Sequence, residues 1–455
     1  MKSHVARTGW IPYVAVAALG CTQPDTAPMK SSASEALTLE SISSVQTEDA
    51  EAGGSAFRAR SQRGLEISPV PLQTSELTHE EKLRVGLGSY IVNGTADCGG
   101  CHSSPAGFLS GGTPFFLDRA GHVVWSRNLT PDATTGMSLT EGQFFEVMRT
   151  GKDFHRDQIK MLVVMPWLIF RWMSDEDLKA IYAYLRALPP VHNLVPPDNK
   201  SDLPVPGSIP FPNLYNDGEV DRRLPREQGS FSARRGVAIA PRAQPHDLED
   251  DDLRSYGLGS YVANSMMACN ECHTNPDRTA DSRKINTPAY LSGGTVFGVP
   301  PPLQPLMRQV RTTSANLKGA THGFFNEPDD SYARFREIIR TQSHADESPP
   351  RPLGFPMNLI AGNLAKVLEH DLKAIYTYVK GVPPVTGPND QPRQAYARFC
   401  STAADCHAGE SCSAATNECV GKACTADVEC DTCQTCNASA CAAPAADSAC
   451  VASAR

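Results

Sequence analysis

No stretch of this 455-residue sequence reaches the roughly 18 uninterrupted apolar residues of a membrane-spanning helix; the nearest, Met161 to Met173, is broken by Pro166 and Arg171. Excess positive charge is missing as well. Lys and Arg number 42 against 50 Asp and Glu, a formal charge of -8, so no basic field exists for nucleic acid. There is no Gly-x-Ser-x-Gly elbow and no His-Glu-x-x-His. Gly86-x-Gly88 and Gly257-x-Gly259 lie in helical patterns and lack the third glycine of a dinucleotide fingerprint. Cysteine is absent from 22–97, 103–268 and 274–399, which sorts the 15 cysteines into Cys21, two pairs at 98/101 and 269/272, and ten between Cys400 and Cys450.

What is present is globular in composition, 40% hydrophobic and 20% charged, with 36 prolines that imply long irregular connections. The length allows two or three domains. Thr78 and Glu81 have capping-box spacing and open a helix with Leu83, Leu87, Tyr90 and Ile91 on one face. Thr140 and Gln143 open another to Thr150, and Ser174 to Leu188 forms a third that Pro189-Pro190 stops. This order then recurs. Gly257-Leu258-Gly259-Ser260-Tyr261 repeats Gly86-Leu87-Gly88-Ser89-Tyr90, Leu291 to Thr295 repeats Leu109 to Thr113, and Asp371-Leu372-Lys373-Ala374-Ile375-Tyr376 repeats Asp177-Leu178-Lys179-Ala180-Ile181-Tyr182. Two tandem copies of one mainly α domain are expected, over 76–192 and 249–386, joined by a Pro-rich linker at 193–248.

Each copy carries one pentapeptide, Cys98-Gly99-Gly100-Cys101-His102 and Cys269-Asn270-Glu271-Cys272-His273. A Cys-x-x-Cys alone also suits a thioredoxin-like dithiol or half a zinc site. The histidine that follows directly, the helical surroundings and the distance between the pairs favour covalent haem, with the thiols adding to the vinyl groups and the histidine beneath the iron. Two c-type haems are expected, with His102 and His273 as proximal ligands. A second-shell carbonyl should fix each ring; Pro105 and Pro276, three residues on, either hold one in place or mark a simple turn. Among the methionines, Met165 in Met165-Pro166-Trp167 and Met357 in Phe355-Pro356-Met357 both sit on proline-containing loops before the last helix. They are the expected sixth ligands, core packing being the alternative. His155, His322 and His344 are the fallbacks.

The N-terminus has Lys2, His4 and Arg7 before an apolar run from Ile11 to Leu19, as a secretory signal does. Ala18-Leu19-Gly20-Cys21 resembles the lipobox of bacterial lipoproteins, which implies signal residues 1–20, an acylated Cys21 and attachment to a membrane through that lipid alone; ordinary cleavage with a spare cysteine is the alternative. Residues 21–75, rich in Ser, Ala, Thr and Glu, are expected to be a flexible tether. The even, dense cysteines of 400–455, after a short connection at 387–399, read as five disulfides in a small tail. A third haem at Cys406-His407 is excluded by the wrong spacing to Cys400.

Each copy resembles a class I cytochrome c domain, with Gly86 and Tyr90, and Gly257 and Tyr261, matching the small-plus-aromatic pattern where first and last helices cross. Cys98 to His102, Leu109 to Gly112, Asn128-Leu129-Thr130-Pro131-Asp132, Met165-Pro166-Trp167 and Ser174 to Pro190 more narrowly resemble the multihaem cytochrome c subunits of quinoprotein and flavoprotein alcohol or aldehyde dehydrogenases. The second copy departs, with Lys318-Gly319 in place of Thr-Pro. The resemblance implies an exported electron-transfer protein of the periplasm or cell envelope rather than an enzyme. It would pass single electrons from a donor such as a dehydrogenase to another cytochrome or an oxidase. The competing readings are a dihaem peroxidase, which needs an open iron position, and a redox-sensing lipoprotein acting through the tail.

Overall fold

The computed structural model describes residues 49–116, 123–154, 160–162, 164–199, 229–241, 250–274, 287–299, 304, 310–328, 330–344, 351–390, 399–406, 410–415, 417–421, 435–437 and 440–442. The signal segment, Cys21, His155, Pro276 and much of the cysteine-rich tail lie outside them.

The first half, 49–199, runs α1 (Asp49–Ile67), α2 (His79–Tyr90), a π-helical turn (Ile91–Thr95), α3 (Cys98–His102), the hairpin β1–β2 (Pro114–Phe116, Val123–Trp125), α4 (Glu141–Thr150), the short hairpin β3–β4 (Lys152–Asp153, Lys160–Met161), α5 (Trp167–Phe170) and α6 (Asp175–Arg186). The second half, 229–390, repeats this order as α7 (Ala233–Ile239), α8 (Asp250–Tyr261), a π turn (Val262–Met266), α9 (Cys269–His273), β5–β6 (Val296–Gly298, Arg311–Thr313), α10 (Tyr332–Thr341), β7–β8 (Ser343–His344, Arg351–Pro352), α11 (Met357–Leu364) and α12 (Glu369–Gly381). The expected caps form. Thr78 with Glu81 and Thr140 with Gln143 are reciprocal capping boxes, and the Ser174 hydroxyl accepts from the Asp177 N–H.

Two sequence expectations change here. The tether does not extend to residue 75, because Asp49–Ile67 is a helix laid on α2, where Gly64 and Gly86 let the backbones touch; a Cβ on Gly64 would collide with the Gly86 carbonyl. Ser89 Oγ donates to the Gly64 carbonyl at 2.6 Å. Likewise the linker contains α7, whose Gly236 meets Gly257 while Ser260 Oγ donates to the Gly236 carbonyl at 2.7 Å. The repeat thus begins earlier than the sequence reading placed it, at Arg63-Gly64 and Arg235-Gly236. The glycines that allow α2 to cross α6, and α8 to cross α12, are Gly88 and Gly259, which abut the Ala180 and Ala374 carbonyls. Gly86 and Gly257 face the added helices instead.

Tyr90 and Tyr261 reach beyond their own halves. Their rings flank Phe231, at 5.8 and 6.2 Å between centroids, and their hydroxyls cross to the opposite half. Tyr90 Oη donates to Asp371 at 2.5 Å and accepts from the Leu368 N–H at 2.9 Å; Tyr261 Oη donates to Asp177 at 2.6 Å and accepts from the Ser174 N–H at 2.6 Å. Ser174 and Leu368 are N-caps and the two aspartates stand at N3, so each tyrosine bridges the groups that a capping box joins directly. Thr95 and Met266, the last residues of the two π turns, also meet, Oγ1 to sulfur at 3.2 Å. Most buried apolar residues of the two halves consequently belong to one cluster that spans both, with a small separate one at Ala233, Val237 and Leu253.

The equivalent carboxylates are compensated differently. Asp371 is fully buried and pairs with the buried Arg60 guanidinium at 2.6 and 2.9 Å. Burial alone would raise its pKa, but the Arg60 charge and hydrogen bonds hold it below the usual carboxylate range. Asp177, equally buried, pairs with no guanidinium among the described residues; it accepts from Tyr261, Ser230 Oγ and the Phe231 N–H, and burial pushes its pKa up despite them. Asp371→Asn strands the Arg60 charge and should lower unfolding free energy in urea by roughly 3–5 kcal/mol at pH 7. Because the folded-state pKa of Asp371 is depressed, its contribution is present above about pH 4 and lost as pH falls through the folded value. The variant should therefore show a shallower acid loss between pH 5 and 2 on the same assay.

Candidate functional site

Each half encloses a cavity, of about 200 Å³ in the first and about 170 Å³ in the second. The first is lined by Cys98, Cys101, His102 and Met165 among apolar side chains that include Phe144, Met148 and Phe170. Cys269, Cys272, His273 and Met357 line the second, with Phe325, Phe335 and Ile338. The residues singled out in each copy are therefore brought together, although Met165 lies more than 60 positions from the pentapeptide.

A left-handed residue starts each pentapeptide helix, Asp97 at φ 46° and Ala268 at φ 55°, which turns the π segment into the short helix that carries both cysteines and the histidine. His102 Nδ1 lies 2.8 Å from the Arg127 carbonyl and His273 Nδ1 lies 3.0 Å from the Ala315 carbonyl. A carbonyl only accepts, so each Nδ1 carries the proton and each Nε2 keeps its lone pair. Burial holds both imidazoles below their ordinary pKa, hence neutral. The acceptor comes from just after β2 or β6 rather than from the loop at Pro105, which makes only a turn. Burial also pushes the thiols of Cys98, Cys269 and Cys272 up to about 12. That is the reverse of the activated thiolate a dithiol redox pair requires.

The acceptor strand is pinned in turn. Asn128 Oδ1 accepts from the Thr130 N–H at 3.0 Å and its Nδ2 donates to the Val191 carbonyl at 2.9 Å, tying the segment beside Arg127 to the chain beyond α6. Arg127 itself pairs with Asp198 at 2.8 Å on the cavity rim. In the second half, Lys318 stands where Thr130 stands in the first. It is only 2% exposed and its Nζ donates to the Lys380 carbonyl at 3.1 Å, so the departure from Thr-Pro is absorbed by a buried ammonium.

The two methionines are less alike than their sequence contexts. Met165 precedes Pro166, the N-cap of α5, whereas Met357 follows Pro356 as the first residue of α11, a helix of 8 residues against 4. Measured from the proline cap, Phe355 occupies the place of Met165, yet Met357 still lines its cavity. Of the fallback histidines, buried His344 lines the second cavity at the position that Asp153 holds in the first. His322 lines neither, and His155 falls outside the described residues.

The described residues of the tail line neither cavity. Its described disulfides are Cys400–Cys412 and Cys406–Cys419, two of the five expected, and the pairing of Cys406 agrees with the exclusion of a third attachment site there. Sequence reasoning missed Asp177 and Asp371, Arg60, and the cavity-rim Arg127. The first two carried a signal: an acid recurs at the same place in the repeated Asp-Leu-Lys-Ala-Ile-Tyr, three residues after a helix N-cap.

No protein-family model matches the chain. It is 26% identical over 302 residues to the fructose dehydrogenase cytochrome subunit of Gluconobacter japonicus, covering 66% of this chain and 52% of that protein. It is 26% identical over 313 residues to the gluconate 2-dehydrogenase cytochrome c subunit of Pantoea cypripedii, covering 66% and 59%. Identity to the cytochrome c subunit of the quinone alcohol dehydrogenase of Gluconacetobacter polyoxogenes is 26% over 309 residues, covering 66% and 56%. The matched region spans just over half the length of these curated relatives. Asn128→Ala should release the strand that orients His102, lowering stability by roughly 1–3 kcal/mol in urea unfolding. By identity over two-thirds of its length, the chain is a relative of the cytochrome c subunits of dehydrogenases.

Proposed function

We propose that the protein is a dihaem cytochrome c built from two tandem class I domains, which relays single electrons between a dehydrogenase and a downstream cytochrome or oxidase. The observation that carries this reading is the donor set at each cavity: two unpaired thiols, a histidine whose Nδ1 faces a carbonyl so that its lone pair is at Nε2, and a methionine in the same apolar lining. Haem, once bound, supplies the one-electron Fe(II)/Fe(III) couple. The chain's residues do the rest. Cys98 with Cys101, and Cys269 with Cys272, would hold the group by thioether bonds. His102 and His273 would ligate the iron through Nε2, and the Arg127 and Ala315 carbonyls would keep each ring from turning. Met165 and Met357 would offer soft thioether sulfurs as sixth ligands, which favours a relatively high potential.

Among the described residues no helix is long and apolar enough to cross a membrane. Attachment through an acylated Cys21 and export to the periplasm or cell envelope belong to this reading. So does a dehydrogenase partner, which the names of the relatives support.

An optical and EPR-monitored redox titration tests the assignment. The protein should give two low-spin haem signals per chain. Met165→Ala should lower one potential and let imidazole or cyanide bind that iron, leaving the other signal in place. A colourless protein, or a Met165→Ala variant with both signals unchanged, would contradict it.

A further inference from the structure

We propose that each half positions the sixth-ligand loop of the other half: Arg235 and Tyr261 hold the loop that carries Met165, and Arg63 and Tyr90 hold the helix and turn that carry Met357. This rests on the haem reading above but goes beyond it, because it assigns residues of one haem domain to the ligand geometry of the other.

The segment from Met165 to Ser174 returns from the cavity of the first half to the start of α6. Its end is fixed from within by Arg149, which donates to the Arg171 and Met173 carbonyls, the latter at 2.6 Å. Between those carbonyls, that of Trp172 accepts at 2.6 Å from Arg235 Nε, on α7 of the second half. The next free N–H, that of Ser174, is taken by Tyr261. The arrangement recurs in reverse. Arg340 holds the Ala365 and Val367 carbonyls from within, Arg63 Nε of the first half donates to the intervening Lys366 carbonyl at 2.8 Å, and the Leu368 N–H goes to Tyr90. Asn363 Nδ2 adds a further tie, donating at 2.5 Å to Asp97 in the first half.

Arg63 and Arg235 precede the equivalent glycines Gly64 and Gly236, and Tyr90 and Tyr261 end the equivalent helices. The same two residue types thus make the same two bonds in each direction. α5 also packs on the π turn of the second half, and α11 on that of the first. A ligand loop whose end is shared between a side chain of its own half and two of the other half holds its methionine less firmly when the foreign pair is lost. Two hydrogen bonds per direction, buried on the Met165 side and partly buried on the Met357 side, one of each pair from a guanidinium, are enough to bias the equilibrium between ligated and open iron by about an order of magnitude.

The test uses the full-length holoprotein and four single variants, reading the Met-to-iron charge-transfer band and imidazole affinity of each haem; the first haem is the one whose band Met165→Ala removes. Tyr261→Phe keeps the ring that packs on Phe231 and removes only the hydroxyl. It should weaken the band of the first haem and raise its imidazole affinity roughly tenfold, leaving the second haem as it was. Tyr90→Phe should do the converse. Arg235→Met and Arg63→Met form an independent second pair with the same crossed pattern, so a tyrosine variant that fails to accumulate leaves the question decidable. Changes confined to the variant's own half, equal changes at both haems, or no change in any variant would overturn the inference while leaving the haem assignment standing. A wild-type protein that carries no haem would overturn the haem reading itself.

Discussion

Two carboxylates sealed inside the protein, Asp177 and Asp371, determine how the halves of this chain fit together. Each needs hydrogen-bond donors in a place water does not reach, and the donor that both share is a tyrosine from the opposite half. That requirement presses α2 and α8 together around Phe231 and brings the two π turns into contact at Thr95 and Met266. With the turns in contact, the segments leading into the two pentapeptides lie beside each other.

The junction is nearly two-fold in its bonds but not in its charge. Arg60 comes from α1 and neutralises Asp371 while stacking on Phe231 at 4.1 Å, whereas the corresponding helix α7 provides no guanidinium to Asp177. The cavities differ in a similar way. Arg127 and Asp153 line the first where Ala315 and His344 line the second. Like folds with unlike charge around them are how one chain could hold two centres at different potentials.

Much of this could be read from the sequence, because it depends on local spacing. The pentapeptides, the capping boxes and the repeat are patterns within a few residues of one another, and each identifies a local structure with a physical reason behind it. That Met165 lines the first cavity was legible for a different reason, since among the methionines of its copy it alone has a counterpart before the last helix of the other. What the sequence concealed was long-range. Ser61, Gly64 and Arg60 sit in a stretch poor in periodic hydrophobicity, so the helix they form looked like tether; its stability comes from glycine-to-glycine contact and from an aspartate more than 300 residues away. Tyr90 matched a pattern for packing within its own half, and only the fold shows its hydroxyl directed outward. Met357 looked like the twin of Met165 because a proline adjoins each, yet the residues lie on opposite sides of their helix caps.

In the function proposed above, Cys98–His102 and Cys269–His273 each hold a covalent haem. Intact-mass measurement of the purified chain, followed by mass mapping of its proteolytic peptides, tests it most directly. The account predicts a mass equal to the processed chain plus two haem groups, with one on the peptide containing Cys98 and Cys101 and one on that containing Cys269 and Cys272. Free thiols at these four positions, open to alkylation without prior cleavage of thioether bonds, would contradict it.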